Sequence, residues 1–306
     1  MTRYFARRLL LTVPVLLGVA TLVFSLIHLV PGDPVQSMLG EAASPQEVAD
    51  LRARLGLDRP LYAQYGTFLA GLTRGDLGTS LRTNQPVAAT IRERIPATFE
   101  LAFAAMAVAV ALAIPLGIVA AVYAGGPIDL AATTLALVGI SIPNFWLGPL
   151  MAIIFSVVLG WLPVSGRGGA AYLVLPAVTL GAPLAAVLAR MTRASMVEEL
   201  RELYVLAARA RGVSPFRAVV RHAFRNSLIP VVTVLGLQFG AVLTGAVITE
   251  TIFAWPGVGR LLIQSISFRD YPVVQGCILL IAITYVAMNV LTDLVYGLLD
   301  PRIRFD

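Results

Sequence analysis

"AARARGVSPFRAVVRHAFRNSLIP", residues 207–230, sets five arginines (Arg209, Arg211, Arg217, Arg221 and Arg225) between two apolar runs of a 306-residue chain that is 58% hydrophobic and only 13% charged. Soluble domains carry about 25% charged residues, so this composition, with a mean hydropathy of +0.83, points to an all-α integral membrane protein. The net charge of +6 comes from arginines that flank apolar runs, where they set topology and meet lipid headgroups. That pattern sets aside nucleic-acid binding, which needs a basic patch on a soluble surface.

The stretch has a clear local grammar. "ELYVLAARARG" is rich in helix formers and stops at Gly212, a residue suited to the position just past a helix end. Ser214 and Pro215 then supply an N-cap and a first helical position. Beyond them Phe216, Val219, Val220, Ala223 and Phe224 fall at helical spacing, while Arg217, Arg221 and Arg225 repeat every four residues on another side. The second segment reads as an interfacial basic helix against membrane lipid, with His222 as one of its interfacial residues rather than a pH switch. A short helix, a glycine break and a second helix together read as a rigid knob presented to a partner.

Working outward, six apolar runs reach the roughly 20 residues needed to cross a bilayer core: about 9–30, 98–123, 130–159, 172–189, 228–252 and 273–297. The first lacks a small-residue cleavage site and is read as an uncleaved span. Pro143 and Pro149 are expected to break or kink the third. With the N-terminus inside, the cytoplasmic flanks hold Arg3, Arg7, Arg8, the eight arginines from Arg190 to Arg225, Arg302 and Arg304, against Arg167, Arg260 and Arg269 outside, a bias of 13 to 3. Both termini are therefore expected in the cytoplasm. The expected organisation is an N-terminus and first span (1–30), an extracytoplasmic helical segment (31–96), five further spans with the arginine-rich loop 190–227 (97–299), and a cytoplasmic tail (300–306).

The external segment carries its own helix signals. "SPQE" at 44–47 is a capping box, with Ser44 as N-cap, Pro45 at the first position, Glu47 at the third, and Gly56 as terminator. Val48, Leu51 and Leu55 share one face. A second helix starts at Pro60 and stripes Leu61, Tyr65, Phe68 and Leu72 before Gly75. The segment reads as a cap packed over the spans, with a docking surface as the alternative.

Within the spans, Gly236, Gly240 and Thr244 form one row of small residues and Gly181, Ala185 and Ala189 another, of the kind that lets helices approach closely. Polar groups at depth mark pathways or pairings because unpaired they are costly in hydrocarbon. Asn144, Gln238 and Asn289 are candidate pathway-lining residues, whereas Glu250 and Asp293 lie near span ends and are assigned to interfacial solvation.

Several chemistries are excluded by what is missing. All 23 basic residues are arginine, so neither a phosphate-binding P-loop, which needs its lysine, nor a Schiff-base lysine is available. Cys277, His28 and His222 are too few for a Cys/His metal site or a disulfide framework, and Cys277 is read as an inert buried residue. No catalytic, cofactor or metal site is expected, and any ATP must be hydrolysed by another subunit. A secondary transporter is disfavoured by the lack of paired membrane carboxylates and of two matching inverted halves.

The pattern Ala207-Ala208, three residues, then Gly212 resembles the EAA loop of ABC transporter permeases. Around it, "LVPGDPV", "GDLGTS", "SIPNFWLG", "RNSLIPVVT", "ETIFAWPGVGRLL" and the terminal "DPRIRF" are similar to the dipeptide/oligopeptide and nickel branch, in that family's order. The resemblance implies a type I ABC importer permease fold, with 97–299 as the ABC transmembrane domain, and translocation of peptides by alternating access. Nickel or glutathione are the alternative cargoes. It further implies a homologous second permease, two ATPase subunits that use ATP and magnesium, an extracytoplasmic substrate-binding protein and residence in a prokaryotic inner membrane. Leu206, Ala207, Ala208, Arg209 and Gly212 then stand where the family couples to its ATPase. The sequence departs from the family in carrying Leu206 where the motif's leading glutamate is expected.

Overall fold

The computed structural model describes residues 2–29, 35, 44–54 and 56–299, without the side chains of 2–9, 26–29, 51, 54 and 293–299. Eleven helices are used below: α1 (Thr2–Leu29), α2 (Pro45–Arg54), α3 (Leu61–Thr73), α4 (Val87–Val122), α5 (Pro127–Ser141), α6 (Asn144–Val158), α7 (Ala170–Glu199), α8 (Leu203–Ala210), α9 (Pro215–Ile252), α10 (Val258–Ser267) and α11 (Tyr271–Leu299). Four of them, α4, α7, α9 and α11, are long and apolar enough to cross a membrane; α5 and α6 together form a fifth apolar stretch, and α1 carries the shorter apolar run Leu10–Ser25.

The third apolar run is broken rather than straight. Ile142 is forced into extended geometry (φ −84°, ψ 116°) by the proline that follows it, because a residue before proline is excluded from the helical region. α5 and α6 consequently meet at 99°. Pro149, the other expected breaker, sits inside the continuous helix Asn144–Ala152; the π-helical turn Ile153–Val158 follows it.

The chain divides into two compact units, one gathering the residues up to Ala97 with 256–286 and the other gathering 98–255 with 287–305. In the first, the capping box forms as expected. The Ser44 amide and hydroxyl donate to Glu47 Oε2 at 2.9 and 2.8 Å, and the Glu47 amide donates back to Ser44 Oγ at 3.3 Å. Gly56, at φ +66°, ends the turn. The Leu51 and Leu55 part of the expected stripe lies outside the described side chains. On α3 the stripe turns toward α1: Tyr65 and Phe68 stack against Phe24 with centroids 5.2 and 5.7 Å apart, and Tyr65 Oη shares a 2.7 Å hydrogen bond with Thr21. Leu69 and Leu72 join Ala20, Val23 and Leu279, whereas Leu61 stays exposed. A second cluster packs Val87 and Ile91 of α4 against Val258, Val273 and the fully buried Cys277.

Asp270 staples this unit across the sequence. It accepts 2.5 Å from Ser80 Oγ and 3.0 Å from the Leu81 amide while itself nearly buried.

The second unit is built on close helix approaches at small residues. A β-carbon on Gly181 of α7 would lie 2.6 Å from the Ala105 carbonyl oxygen of α4, and one on Gly117 would lie 2.6 Å from Thr192 Cβ. Gly181, Ala185 and Ala189 are all buried, so the expected row is an intramolecular seam. In the other row Gly236 abuts Thr292 of α11 and Gly240 is buried, but Thr244 is exposed and turns its hydroxyl to the Ala241 carbonyl.

Candidate functional site

The arginine-rich stretch folds into a turn–helix–turn held on a small core of its own. α7 ends at Glu199; α8 runs Leu203–Ala210; Gly212 takes φ +85°, the left-handed conformation that glycine adopts without steric cost. Ser214 precedes Pro215 with extended dihedrals, although its side chain makes no capping hydrogen bond. Val205 and Ala208 of α8 then bury themselves against Ala121, Met196, Ala218, Val219 and Ala223.

This packing assigns one face of the segment read as an interfacial helix to the protein. Residues 215–223 are not a separate amphipathic helix but the first turns of α9, passing through a π-helical turn at Ala218–Ala223 into the long helix that follows. Val219 and Ala223, part of the face expected to meet lipid, are buried in protein together with Ala218. Phe216 and Val220 are exposed, as are Arg217, Arg221 and Arg225. A face with alanine at two contact points meets a protein neighbour because it lets backbones close up, which fluid lipid does not require.

The predicted coupling residues separate into two roles. Ala208 is 1% exposed and belongs to the core, whereas Leu206, Ala207 and Arg209 are exposed. Leu203 (79% exposed), Leu206 (47%), Ala207 and Ala210 lie at positions i, i+3, i+4 and i+7, so α8 carries a second apolar face that turns away from the core. Exposed apolar faces on otherwise packed elements mark interaction surfaces. Leu203 and its place on this face are legible as helical periodicity once the element's ends are known, although it lies outside the set 206–212 that the motif picks out.

Two polar arrangements hold the neighbourhood. Arg193 of α7 grips Asp129 of α5 with two bonds, Nε to Oδ1 at 2.5 Å and Nη2 to Oδ2 at 2.6 Å, and the Gly125 amide adds a third at 2.8 Å. Such a bidentate fork fixes orientation as well as proximity. At the start of α8 the Tyr204 hydroxyl donates to Glu199 and receives the Asn226 amide at 3.0 Å. Desolvation, followed by the hydrogen bond to Glu199, pushes the Tyr204 phenol up to about 12, so it is a protonated donor at neutral pH. Neither arrangement is signalled in the sequence, since Asp129 and Arg193 are 64 residues apart and Tyr204 and Asn226 are 22 apart.

The candidate pathway residues are not drawn together by hydrogen bonds among the described residues. Asn144 heads α6, half-buried, with Oδ1 shielded and unpartnered; Gln238 and Asn289 are half-buried. Glu250 departs from its interfacial assignment. It is fully buried and accepts a 2.7 Å bond from Thr98 Oγ1, because the close approach of neighbouring elements covers a position that lies near a span end in sequence. The Asp293 side chain lies outside the described residues. Nearby, Arg167 pairs with Glu100 through Nε at 3.0 Å and lies 5.7 Å from the Trp255 ring. Among the described residues no three His, Cys, Asp or Glu side chains gather as a metal site.

Comparison with known proteins bears on the whole chain. Residues 113–305 match the family described as "Binding-protein-dependent transport system inner membrane component", and residues 1–102 match its N-terminal companion, "Binding-prot-dependent transport system membrane comp, N-term". The chain is 47% identical to the di/tripeptide transport system permease protein of Pseudomonas aeruginosa, covering 99% of each. It is 44% identical to the dipeptide transport system permease protein of Alkalihalophilus pseudofirmus and 46% identical to the glutathione transport system permease protein of Pectobacterium atrosepticum, each over 100% of both chains. Among solved structures, an inward-facing MetNI methionine ABC transporter chain aligns with a TM-score of 0.57 at 18% identity, covering 69% of this chain and 96% of that one. An amino acid ABC transporter aligns at 0.53, 16% identity, 69% and 94%. The fold is that of type I ABC importer permeases, and the chain belongs to the inner-membrane components of binding-protein-dependent transport systems, a transport subunit rather than an enzyme.

Proposed function

We propose that this chain is one of two homologous permeases of an ATP-driven importer for small peptides, working by alternating access, and that α8 is the element that docks its ATPase. The observation that carries the docking assignment is the exposed apolar face of Leu203, Leu206, Ala207 and Ala210 on a helix whose other face is locked into the core. Two ATPase subunits, using ATP and magnesium, sit on the cytoplasmic side; a binding protein delivers substrate from outside. Both termini are cytoplasmic and the chain crosses the inner membrane six times, α1 being the first span and the broken α5–α6 pair the third. α2 and α3 belong to the extracytoplasmic segment, and Arg217, Arg221 and Arg225 face lipid headgroups. Asn144, Gln238 and Asn289 line the path.

The peptide assignment rests on relatives whose names specify dipeptides, di- and tripeptides, and glutathione. Identifying the ligand carried by the binding protein that co-purifies with the importer tests it, and a free metal ion as that ligand would sink it. The docking assignment is tested by Ala207→Glu, which places a charge on the exposed face without entering the core. We expect the variant to insert normally and to lose its ATPase subunits on purification. Retention of those subunits with normal substrate-stimulated ATP hydrolysis would refute the assignment.

A further inference from the structure

Docking at α8 is useful only if a push on this short helix reaches the long ones, and its apolar contacts do not by themselves guarantee that. Val205 and Ala208 touch Met196, Ala218, Val219 and Ala223 through side chains without directional bonds, and such contacts tolerate sliding better than they tolerate separation. The covalent links at either end, residues 200–202 and 211–214, are short irregular segments.

One side chain adds direction. Tyr204 lies in the first turn of α8, and its hydroxyl donates to Glu199 at the end of α7 and accepts Asn226 Nδ2 of α9 at 3.0 Å. The His222 carbonyl, one turn before Asn226, stands 3.4 Å from the same oxygen as an alternative acceptor. Among the described hydrogen bonds no other α8 side chain reaches both neighbours. The partners use the phenol economically: one proton goes to the carboxylate, and one lone pair takes the amide. The carboxylate makes its bond the stronger of the two.

We propose that Tyr204 is a positioning residue, the pin that makes the end of α7, the helix α8 and the start of α9 move as one body, so that displacement of α8 is delivered to two long helices at once. The pin rests on the docking role of α8 given above. It explains why Asn226, in the middle of "RNSLIP", faces back toward a residue 22 positions earlier.

The test uses the complete importer in lipid vesicles, with both permeases, both ATPases and the binding protein as isolated with its bound ligand. Tyr204→Phe keeps the ring and removes the hydroxyl. ATPase subunits are expected to stay bound and basal ATP hydrolysis to stay unchanged, while stimulation by the loaded binding protein falls about three- to tenfold, the range expected for a lost hydrogen-bond network. Asn226→Leu should lower stimulation comparably, and the double variant should fall no further than the worse single one, because the two act through one contact. Normal stimulation in Tyr204→Phe overturns the pin, as does full additivity. Loss of the ATPase subunits from Tyr204→Phe also overturns it, since the residue would then serve docking itself. Failure of the docking assignment is read separately, from Ala207→Glu retaining its ATPases.

Discussion

Gly181 illustrates how little freedom single positions have in the second unit. Its α-carbon faces the Ala105 carbonyl so closely that any β-carbon would stand 2.6 Å from the oxygen, and backbone, unlike a flexible side chain, has nowhere to go. Gly181→Leu is therefore expected to force α7 off α4 and to destabilise the folded protein by about 1–3 kcal/mol or more. A thermal melt of the detergent-solubilised protein that leaves the midpoint unchanged would contradict this. The two alanines of the opening stretch show the complementary point. Ala208 is small because a helix must close onto Ala218 and Ala223, while Ala207 is open to the outside. Identical residues, adjacent in sequence, face a core and the outside because a helix turns about 100° per residue.

At the scale of elements, α2 starts where its capping box places it, and the box has an electrostatic consequence. Hydrogen bonds from the Ser44 amide first, and from its hydroxyl second, hold the Glu47 carboxyl below its usual 4.5. A depressed carboxylate contributes stability that is complete above the unfolded pKa and is lost as pH falls through the folded one. Hydrogen-exchange protection of the α2 amides is therefore expected to be flat above about pH 5 and to decline below it. Glu47→Gln retains a capping side chain without the charge, and its protection should be independent of pH over the same range. A wild-type profile that stays flat into acid would show that the box contributes nothing. The break between α5 and α6 is likewise local, a consequence of Pro143 acting on Ile142. Its size, 99°, is not local, because proline dictates only that helical geometry stops and the packing around each limb sets where the chain goes next.

For the molecule as a whole, the absence of any lysine and the proposed placement of the ATPase in separate subunits make one demand on energetics. Uptake by cells dependent on this importer is expected to stop when ATP is depleted and to persist when the proton gradient alone is dissipated. The reverse pattern, collapse with an uncoupler and indifference to ATP, would mean a secondary carrier. The division between the two compact units passes inside α4 and α11 and again at Trp255–Pro256, in the turn between α9 and α10, so two of these three crossings follow no linker. It reflects which residues pack together rather than which are adjacent in sequence.

Local sequence was enough for the capping box of α2, the proline break after Ile142 and the glycine that follows α8, since each depends on residues within a few positions of one another. It also placed Leu206, Ala207, Ala208 and Arg209 on one short helix that ends before Gly212. Long-range packing settled which face of that helix is buried, that residues 215–223 continue into α9, and that Glu250 is covered rather than solvated. The partnerships Ser80–Asp270, Thr98–Glu250 and Arg193–Asp129, at separations of 190, 152 and 64 residues, belong to the same class. Their physical reason is common to all: periodicity fixes the face on which a side chain lies, but its partner is fixed by which helices close up at small residues, and that choice is made by the whole chain at once.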